Sequence, residues 1–319
     1  MLRRLIFPLH VLFAINTFLT EFIETVHSLQ VSIKGTQAMA LIIDTEPLSD
    51  VVGVRVSGVD FTQPIDGPTA EALRDLFARN SVLCVSGQRL AATDQIRFAD
   101  LFGPVDSAYR VRSSYGGKEV LSRGVMLVSN IRKNGEPIGS LPDGEMQFHS
   151  DGAHREVPYA ATTLYAVKIP SRGGDTLFAN LAAAYEALDD AIKAKIENLR
   201  VHNLYGYDNT FREQTTEADE PNSSSATHPL VKTHPITGRK SLYLSRLMTR
   251  YVVDMARNES NDLLEALFLH SENPEFIYAH KWSVNDLLIW DNRCLNHART
   301  DFPDDEERLL RRFTVTERH

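Results

Sequence analysis

His149 and Asp151 stand two residues apart in "EMQFHSDGAH", residues 145–154. In an extended strand, residues i and i+2 share a face about 6.5–7 Å apart, so an imidazole and a carboxylate at this spacing can converge on one cation while Ser150 points away. A polar pair on an ordinary strand looks the same, and two ligands rarely hold a metal, so a third must come from elsewhere. Of the 11 histidines most have plain readings. His228 and His234 precede prolines and read as turn residues, His270 lies near a helix end, His319 is terminal, and His154 and His280 read as structural. His297 differs because it follows "LLIWDNRCLN", an apolar strand whose end can deliver a histidine into the mouth of a barrel. Two histidines and one carboxylate with a face left open is the ligand set of non-haem Fe(II) oxygenases.

The C-terminal run "RLLRRFT" adds a second kind of chemistry. Strand alternation puts Arg308, Leu310, Arg312 and Thr314 on one face, with Leu309 and Arg311 on the other. Arginine grips carboxylates at two points, so this face suits a dicarboxylate cosubstrate and an anionic substrate. The plainer alternative pairs these arginines with Asp304, Asp305, Glu306 and Glu307 at the surface.

The elements that must position these groups are mostly short strands. "VVGVRVSGVDF", "SVLCVSG", "YAATTLYAVKIP", "KSLYLSRL", "DLLIWDNR" and "ERLLRRFTVT" read as strands. "GPTAEALRDLFARN" reads as a helix with Thr69 as a possible cap and Leu73, Leu76 and Phe77 as its buried stripe. "AATDQIRFADLFG", a run from about Leu181 to Ile196, and "NDLLEALFLHS" read as three more helices. Residues 215–229 are polar and rich in Ser and Pro, and read as a loop. The fold class expected is mainly β with flanking helices (α+β), built on a double-stranded β-helix, the cupin-like jelly roll.

Composition narrows the partners. A net charge of −8 argues against nucleic acid, whose phosphates need clustered Lys and Arg. Only two cysteines, Cys84 and Cys294, exclude a disulfide scaffold and favour a reducing, cytoplasmic setting. Residues 1–38 differ from the rest: Arg3 and Arg4 precede an apolar stretch that ends at Leu19, which allows a signal or an anchor. That stretch is short for a membrane span and is interrupted by Pro8, His10 and Asn16, and Met39 opens the domain-like sequence. Residues 1–38 are therefore read as a leader or mis-started extension, and residues 39–319 as a single domain with no membrane partner.

The segments "GVRVSGVDFTQPID", "QIRFADLFGPV", "FHSD", "KIPSRGGDTLFANLAAAYEAL", "HPLVKTHPITGRKSLYLS", "PEFIYAHKWSVNDLLIWDNRCLNH" and "RLLRRFTV" occur together and in this order. On these the chain resembles the taurine/2,4-dichlorophenoxyacetate dioxygenase (TauD/TfdA) family from about Ile42 to Thr316. The resemblance implies an enzyme using Fe(II), 2-oxoglutarate and O2. Such an enzyme hydroxylates a small organic acid, with or without cleavage of a C–S, C–O or C–N bond, and releases succinate and CO2. It implies His149, Asp151 and His297 as iron ligands, Thr176 and Arg308 as the holders of 2-oxoglutarate, and Arg312 as a contact for an anionic substrate. Retention of Asp151 favours hydroxylation over halogenation.

Trp290 and Asp291 are expected to support His297, and Asn130 is a further candidate for the substrate pocket by its position. Tyr205, Tyr207 and residues 208–229 could cover the pocket. Family members assemble as dimers or tetramers, so a homo-oligomer is expected. "FGPVDSAYRVRSS" offers Arg110 and Arg112 where taurine enzymes carry a substrate histidine, which makes taurine itself a poor fit. The rival readings are a zinc-dependent hydrolase on the same three ligands and a catalytically silent jelly-roll binding protein. The zinc hydrolase does not account for Arg308 together with Thr176.

Overall fold

Val82–Val85, Ala161–Lys168 and Leu287–Asp291, among the most apolar runs of the chain, become adjacent strands in the middle of a seven-stranded sheet. The computed structural model describes residues 43–106, 125–140, 144–205 and 224–317. Residues 1–38, Arg110, Arg112, Tyr207 and most of the 208–229 cover lie outside the described residues.

In chain order, β1 (Asp44–Pro47) and β2 (Val54–Ser57) precede helix α1 (Gly67–Asn80), β3 (Val82–Val85) and α2 (Ala92–Asp100). There follow β4 (Met126–Ser129), the small hairpin β5 (Arg132–Lys133) and β6 (Glu136–Pro137), β7 (Met146–His149), β8 (Ala161–Lys168) and β9 (Thr176–Asn180). Helices α3 (Leu181–Glu186) and α4 (Asp190–Ile196) lead to β10 (Arg200–Tyr205), β11 (Ser224–Pro229), β12 (Val231–Thr233), β13 (Lys240–Leu242) and β14 (Thr249–Val252). Helix α5 (Arg257–Ser271), β15 (Ile277–His280), β16 (Leu287–Asp291), β17 (Leu295–Arg299) and β18 (Leu309–Val315) complete the described chain.

The large sheet runs β1-β2-β3-β16-β8-β18-β4 and the facing sheet β15-β9-β17-β7. Only β2 and β3 pair in parallel among the described strands. Strand alternation divides the apolar side chains between two cores. Leu288 and Trp290 of β16, Leu164 of β8 and Leu310 of β18 point inward to meet Phe178 of β9 and Leu295 of β17. Ile289, Leu83 and Tyr165 point outward, onto Leu73 and Phe77 of α1 and Phe98 of α2. Two facing sheets clad by helices on one side form the expected jelly roll, and its open end carries the site.

Three local expectations change. Helix α1 is capped by Asp66, whose carboxylate accepts the Thr69 N–H at 2.7 Å, rather than by Thr69 itself. The helix expected over 181–196 is two, because Ala187, Leu188 and Asp189 separate them and Asp190 opens the second with its charge at the helix N-terminus. Residues 224–229, expected in a loop with His228 in a turn, form β11 paired in register with β10. Their Ser and Pro content hid an alternating pattern whose buried members, Ala226 and His228, face the interior.

His228 and His154 lie against the turn that follows the metal motif, and each has its pKa lowered to about 4 by burial. In the unfolded chain a histidine takes its proton near pH 6.5. The unfolded state therefore binds more protons between pH 6.5 and 4, and stability held above pH 6.5 is lost as pH falls through that window. Between pH 7.5 and 5.0 the unfolding free energy should fall by about 2 kcal/mol for each histidine. Denaturant titrations at the two pH values test this, and His228→Gln should flatten the difference. Equal midpoints at both pH values in the wild-type chain would sink it.

Candidate metal centre and the arginine-lined cavity

The two histidines distant in sequence are direct cross-strand partners: His297 of β17 pairs with His149 of β7 in antiparallel register. Their rings lie with centroids 4.0 Å apart. His149 is the last residue of its strand, and Asp151 sits in the turn beyond it. The two ligands thus converge through a turn with Gly152 at φ +75, rather than along a continuous strand. Any side chain at Gly152 would also meet Tyr159 at 2.9 Å. His297 likewise lies in the middle of β17 rather than past the end of an apolar strand. Nε2 of His149 is 3.7 Å from Asp151 Oδ1, and Nε2 of His297 is 3.7 Å from Asp151 Oδ2. All three residues are buried.

Their surroundings suit a metal. The Gln147 carbonyl, 2.9 Å from His149 Nδ1, can only accept, so Nδ1 carries the proton and Nε2 turns a lone pair toward Asp151. Burial lowers the pKa of both histidines, and for His297 the neighbouring His149 adds to it, which keeps the rings neutral as ligands. Burial opposes ionisation of Asp151, yet the Arg312 guanidinium, with the Thr162 hydroxyl, holds its carboxyl well below the usual range. Two neutral imidazoles and one carboxylate match the donor set of an Fe(II) site with open positions.

Two other buried clusters have metal-ligand residue types, Cys84 with His280 and Asp286, and His234 with Asp291 and Cys294. Arg55 approaches the Cys84 sulfur at 3.5 Å, and burial raises that thiol to about 11, so the first cluster already holds a cation and a protonated thiol. In the second, Asp291 is taken by Arg293 at 2.6 Å and by His234 at 3.0 Å. These are structural networks, whereas the His149 cluster lines a cavity.

That cavity is lined by His149, Asp151 and His297, by Thr176, Arg299, Arg308 and Arg312, and by an apolar wall that includes Val128, Met146, Leu164 and Trp290. Arg308 and Arg312 share its wall, on the face that alternation assigns them, whereas Arg311 turns outward onto the Tyr165 ring and the Leu90 carbonyl. Arg308 is 2% exposed, and its Nε has no hydrogen-bond partner among the described residues. Burial and the charge of Arg299 push its pKa down to about 9, so it stays cationic at neutral pH. A buried guanidinium with an unmet N–H is a vacancy for an anion. The Gly-Gly turn shapes this end: the Gly174 carbonyl accepts from Arg308 Nη2 at 3.2 Å, and a Cβ on Gly174 would lie 3.0 Å from Arg308 Nε. Thr176 stands beside it, buried.

Arg312 donates to Asp151 Oδ1 at 2.6 Å, so it adjoins the metal motif as well as the cavity. Asn130, read from sequence as a pocket residue, is not on the cavity wall. Its amide accepts from the Arg308 backbone N–H and donates to the Glu306 carbonyl, both at 2.8 Å, which fixes the chain that carries Arg308. Trp290 supports His297 as expected, with ring centroids 4.7 Å apart. Asp291 does not, because its carboxylate serves His234 and Arg293. His297 Nδ1 has no partner among the described residues. Tyr205 packs against His154, with ring centroids 5.3 Å apart.

Sequence reasoning missed Asn292 and Thr162. Asn292 Nδ2 donates to Thr162 Oγ1 at 2.9 Å, and Thr162 donates to Asp151 Oδ2 at 2.6 Å. The Asn292 side-chain oxygen takes the Trp290 indole N–H at 3.1 Å, and its carbonyl takes the Ser150 hydroxyl at 2.7 Å. The signal was present in the "WDNR" run, whose asparagine follows the strand end directly.

The described geometry has counterparts among known proteins. A family model described as taurine catabolism dioxygenase TauD, TfdA family, matches residues 44–314. The (S)-phenoxypropionate/alpha-ketoglutarate-dioxygenase of Sphingobium herbicidovorans is 31% identical over 288 residues, which cover 85% of this chain and 94% of that one. The alpha-ketoglutarate-dependent sulfate ester dioxygenase of Pseudomonas putida is 28% identical, covering 88% of this chain and 92% of its own. Among solved structures, AAD-2 in complex with Mn(II) and N-oxalylglycine superimposes with a TM-score of 0.70 at 30% identity, covering 87% of this chain and 98% of that one.

Proposed function

This chain belongs to the TauD/TfdA family of 2-oxoglutarate-dependent dioxygenases, and from that premise we propose that His149, Asp151 and His297 hold Fe(II) while Arg308 and Thr176 hold 2-oxoglutarate. The enzyme is an Fe(II)/2-oxoglutarate-dependent dioxygenase on a jelly-roll fold, acting on a small-molecule substrate. When bound, the iron supplies the redox chemistry that couples decarboxylation of 2-oxoglutarate by O2 to hydroxylation of a substrate C–H bond, giving succinate, CO2 and the alcohol. A hydroxylated carbon that bears sulfur, oxygen or nitrogen can then collapse with cleavage of that bond.

The observation that carries the residue roles is the buried Arg308 guanidinium, whose Nε is unmet among the described residues, in one cavity with the His149–Asp151–His297 cluster. The protein's own part is placement. Gln147 sets the His149 tautomer, and Thr162 with Asn292 fixes Asp151. Arg308 and Thr176 receive the far carboxylate, and the apolar wall excludes water from the reacting carbon. Arg312 together with that wall suits an amphiphilic anion, such as an aryloxyalkanoate, a sulfonate or a sulfate ester, in keeping with the substrates named for the relatives. A zinc hydrolase has no use for a dicarboxylate subsite beside its metal.

Residues 39–319 are proposed as one catalytic domain, which the family match from residue 44 supports. The two free thiols support a cytoplasmic setting, and family membership supports a dimer or tetramer. No helix of the described residues is long and apolar enough to cross a membrane.

The test is substrate-dependent succinate release over a panel of small organic acids with Fe(II), 2-oxoglutarate and O2. Arg312→Ala should raise the substrate KM by about tenfold or more, the loss of a charge-assisted hydrogen bond. It should leave the visible charge-transfer band of the anaerobic Fe(II)–2-oxoglutarate complex intact. Loss of that band in Arg312→Ala would move the residue to the cosubstrate or the metal, and no succinate with any acid in the panel would count against the proposed substrate class.

A further inference from the structure

Thr176 is the one neutral group proposed to touch the cosubstrate, and a hydroxyl can either donate or accept. For a carboxylate only donation helps, so something must settle which way the hydroxyl points. Trp282 does so. Its indole Nε1 lies 3.0 Å from Thr176 Oγ1. Indole nitrogen can donate but never accept, so Thr176 Oγ1 is the acceptor in this bond and keeps its own proton for another partner. Among the described residues the Thr176 hydroxyl has no other hydrogen-bond partner, and its side chain lines the cavity beside Arg308.

We infer that Trp282 is a positioning residue for the cosubstrate: by occupying the acceptor side of the Thr176 hydroxyl, it commits that hydroxyl to donate to the far carboxylate of 2-oxoglutarate. This rests on the proposed function, and it gives a part to a residue that touches neither metal nor cosubstrate.

The indole is held firmly enough for the purpose. Trp282 is 9% exposed and belongs to the core between the two sheets. Its ring meets that of His280 edge-on, with centroids 4.7 Å apart and planes at 85°. His280 is fixed in turn by the Tyr278 hydroxyl, 3.0 Å from Nδ1, and by Asp286, 3.4 Å from Nε2. Cross-strand register supplies the rest, since His280 of β15 pairs with Thr176 of β9. The buried Cys84–His280–Asp286 cluster, which holds no ligand role, thus becomes the footing of the indole. Trp282 also lines a surface groove with residues 169–175 and Lys281.

The test is a double-mutant cycle read by binding rather than turnover. Anaerobic calorimetry of 2-oxoglutarate into Mn(II)-loaded protein gives the dissociation constant directly. Trp282→Phe keeps a ring in the core but removes the donor, and should weaken 2-oxoglutarate binding about three- to tenfold, a part of one charge-assisted hydrogen bond. At saturating 2-oxoglutarate kcat should stay within about twofold of wild type. In a Thr176→Val background, Trp282→Phe should add nothing further, whereas in Thr176→Ser its effect should persist. An equal weakening in Thr176→Val would show that the ring acts by packing and overturn the inference, as would unchanged binding in Trp282→Phe. Should Trp282→Phe fail to fold, benzothienylalanine at position 282 keeps the bicyclic shape while replacing N–H with sulfur, and the same outcomes apply. Wild-type protein that binds Mn(II) but no 2-oxoglutarate would overturn the proposed function itself, and the inference with it. Normal wild-type binding with no coupling between positions 176 and 282 overturns the inference alone.

Discussion

Asp151→Asn is expected to lower 2-oxoglutarate-dependent turnover by on the order of 10³-fold or more, because it removes the one anionic donor from the proposed iron site. The substitution keeps the shape of the side chain, and an amide oxygen can still accept from Thr162, now 2.6 Å from Asp151 Oδ2. What it cannot keep is charge. Two neutral imidazoles alone bind Fe(II) weakly, and the Arg312 guanidinium, now 2.6 Å from Asp151 Oδ1, would face the cation with nothing between them. Iron retention and turnover should therefore fall together. Asp151→Ala should be worse for the fold as well, since it leaves the Arg312 side chain, 11% exposed, without its acid, at a cost of up to about 3 kcal/mol. Iron content after anaerobic loading and desalting, read beside the melting temperature, separates the two effects. Wild-type iron content in a well-folded Asp151→Asn protein would remove Asp151 from the metal site.

How much of this was legible in the chain follows from what each residue depends on. His149 and Asp151 could be found because they are neighbours, although the turn at Gly152, and not strand alternation, brings them together. His297 could be nominated, but its pairing with His149 is a matter of sheet register, which no local pattern states. Arg312 within β18 and Arg308 just before it do line one cavity, as alternation over the run expected. Asn130 and Asp291 went the other way. Both are polar residues that spend their hydrogen bonds on holding a backbone or a neighbouring arginine. Thr162 and Trp282 escaped notice because their roles exist only through a partner on another strand, Asp151 in one case and Thr176 in the other. Composition also misled at β11, where Ser and Pro concealed a strand that register with β10 makes plain.

Arg308→Met is expected to weaken 2-oxoglutarate binding by on the order of 10²–10³-fold, the loss of two hydrogen bonds to a charged group. Arg308→Lys should fall between, since a point charge remains but the two-point fork does not. Iron binding should be unchanged in both, for Arg308 contacts the Gly174 carbonyl and none of the three proposed ligands. The effect on stability should run opposite to the effect on binding. In wild type the guanidinium is 2% exposed, its Nε is unmet among the described residues, and its neighbour Arg299 repels it. Burying such a charge costs more than burying a methionine of similar reach, so Arg308→Met should unfold at higher denaturant, by about 1 kcal/mol or more. A residue kept for packing would show the reverse: lower stability and little change in 2-oxoglutarate affinity. Loss of cosubstrate binding in a protein that has become more stable is the signature of a charge buried for its ligand, and calorimetry beside denaturant titration on the same sample reads both.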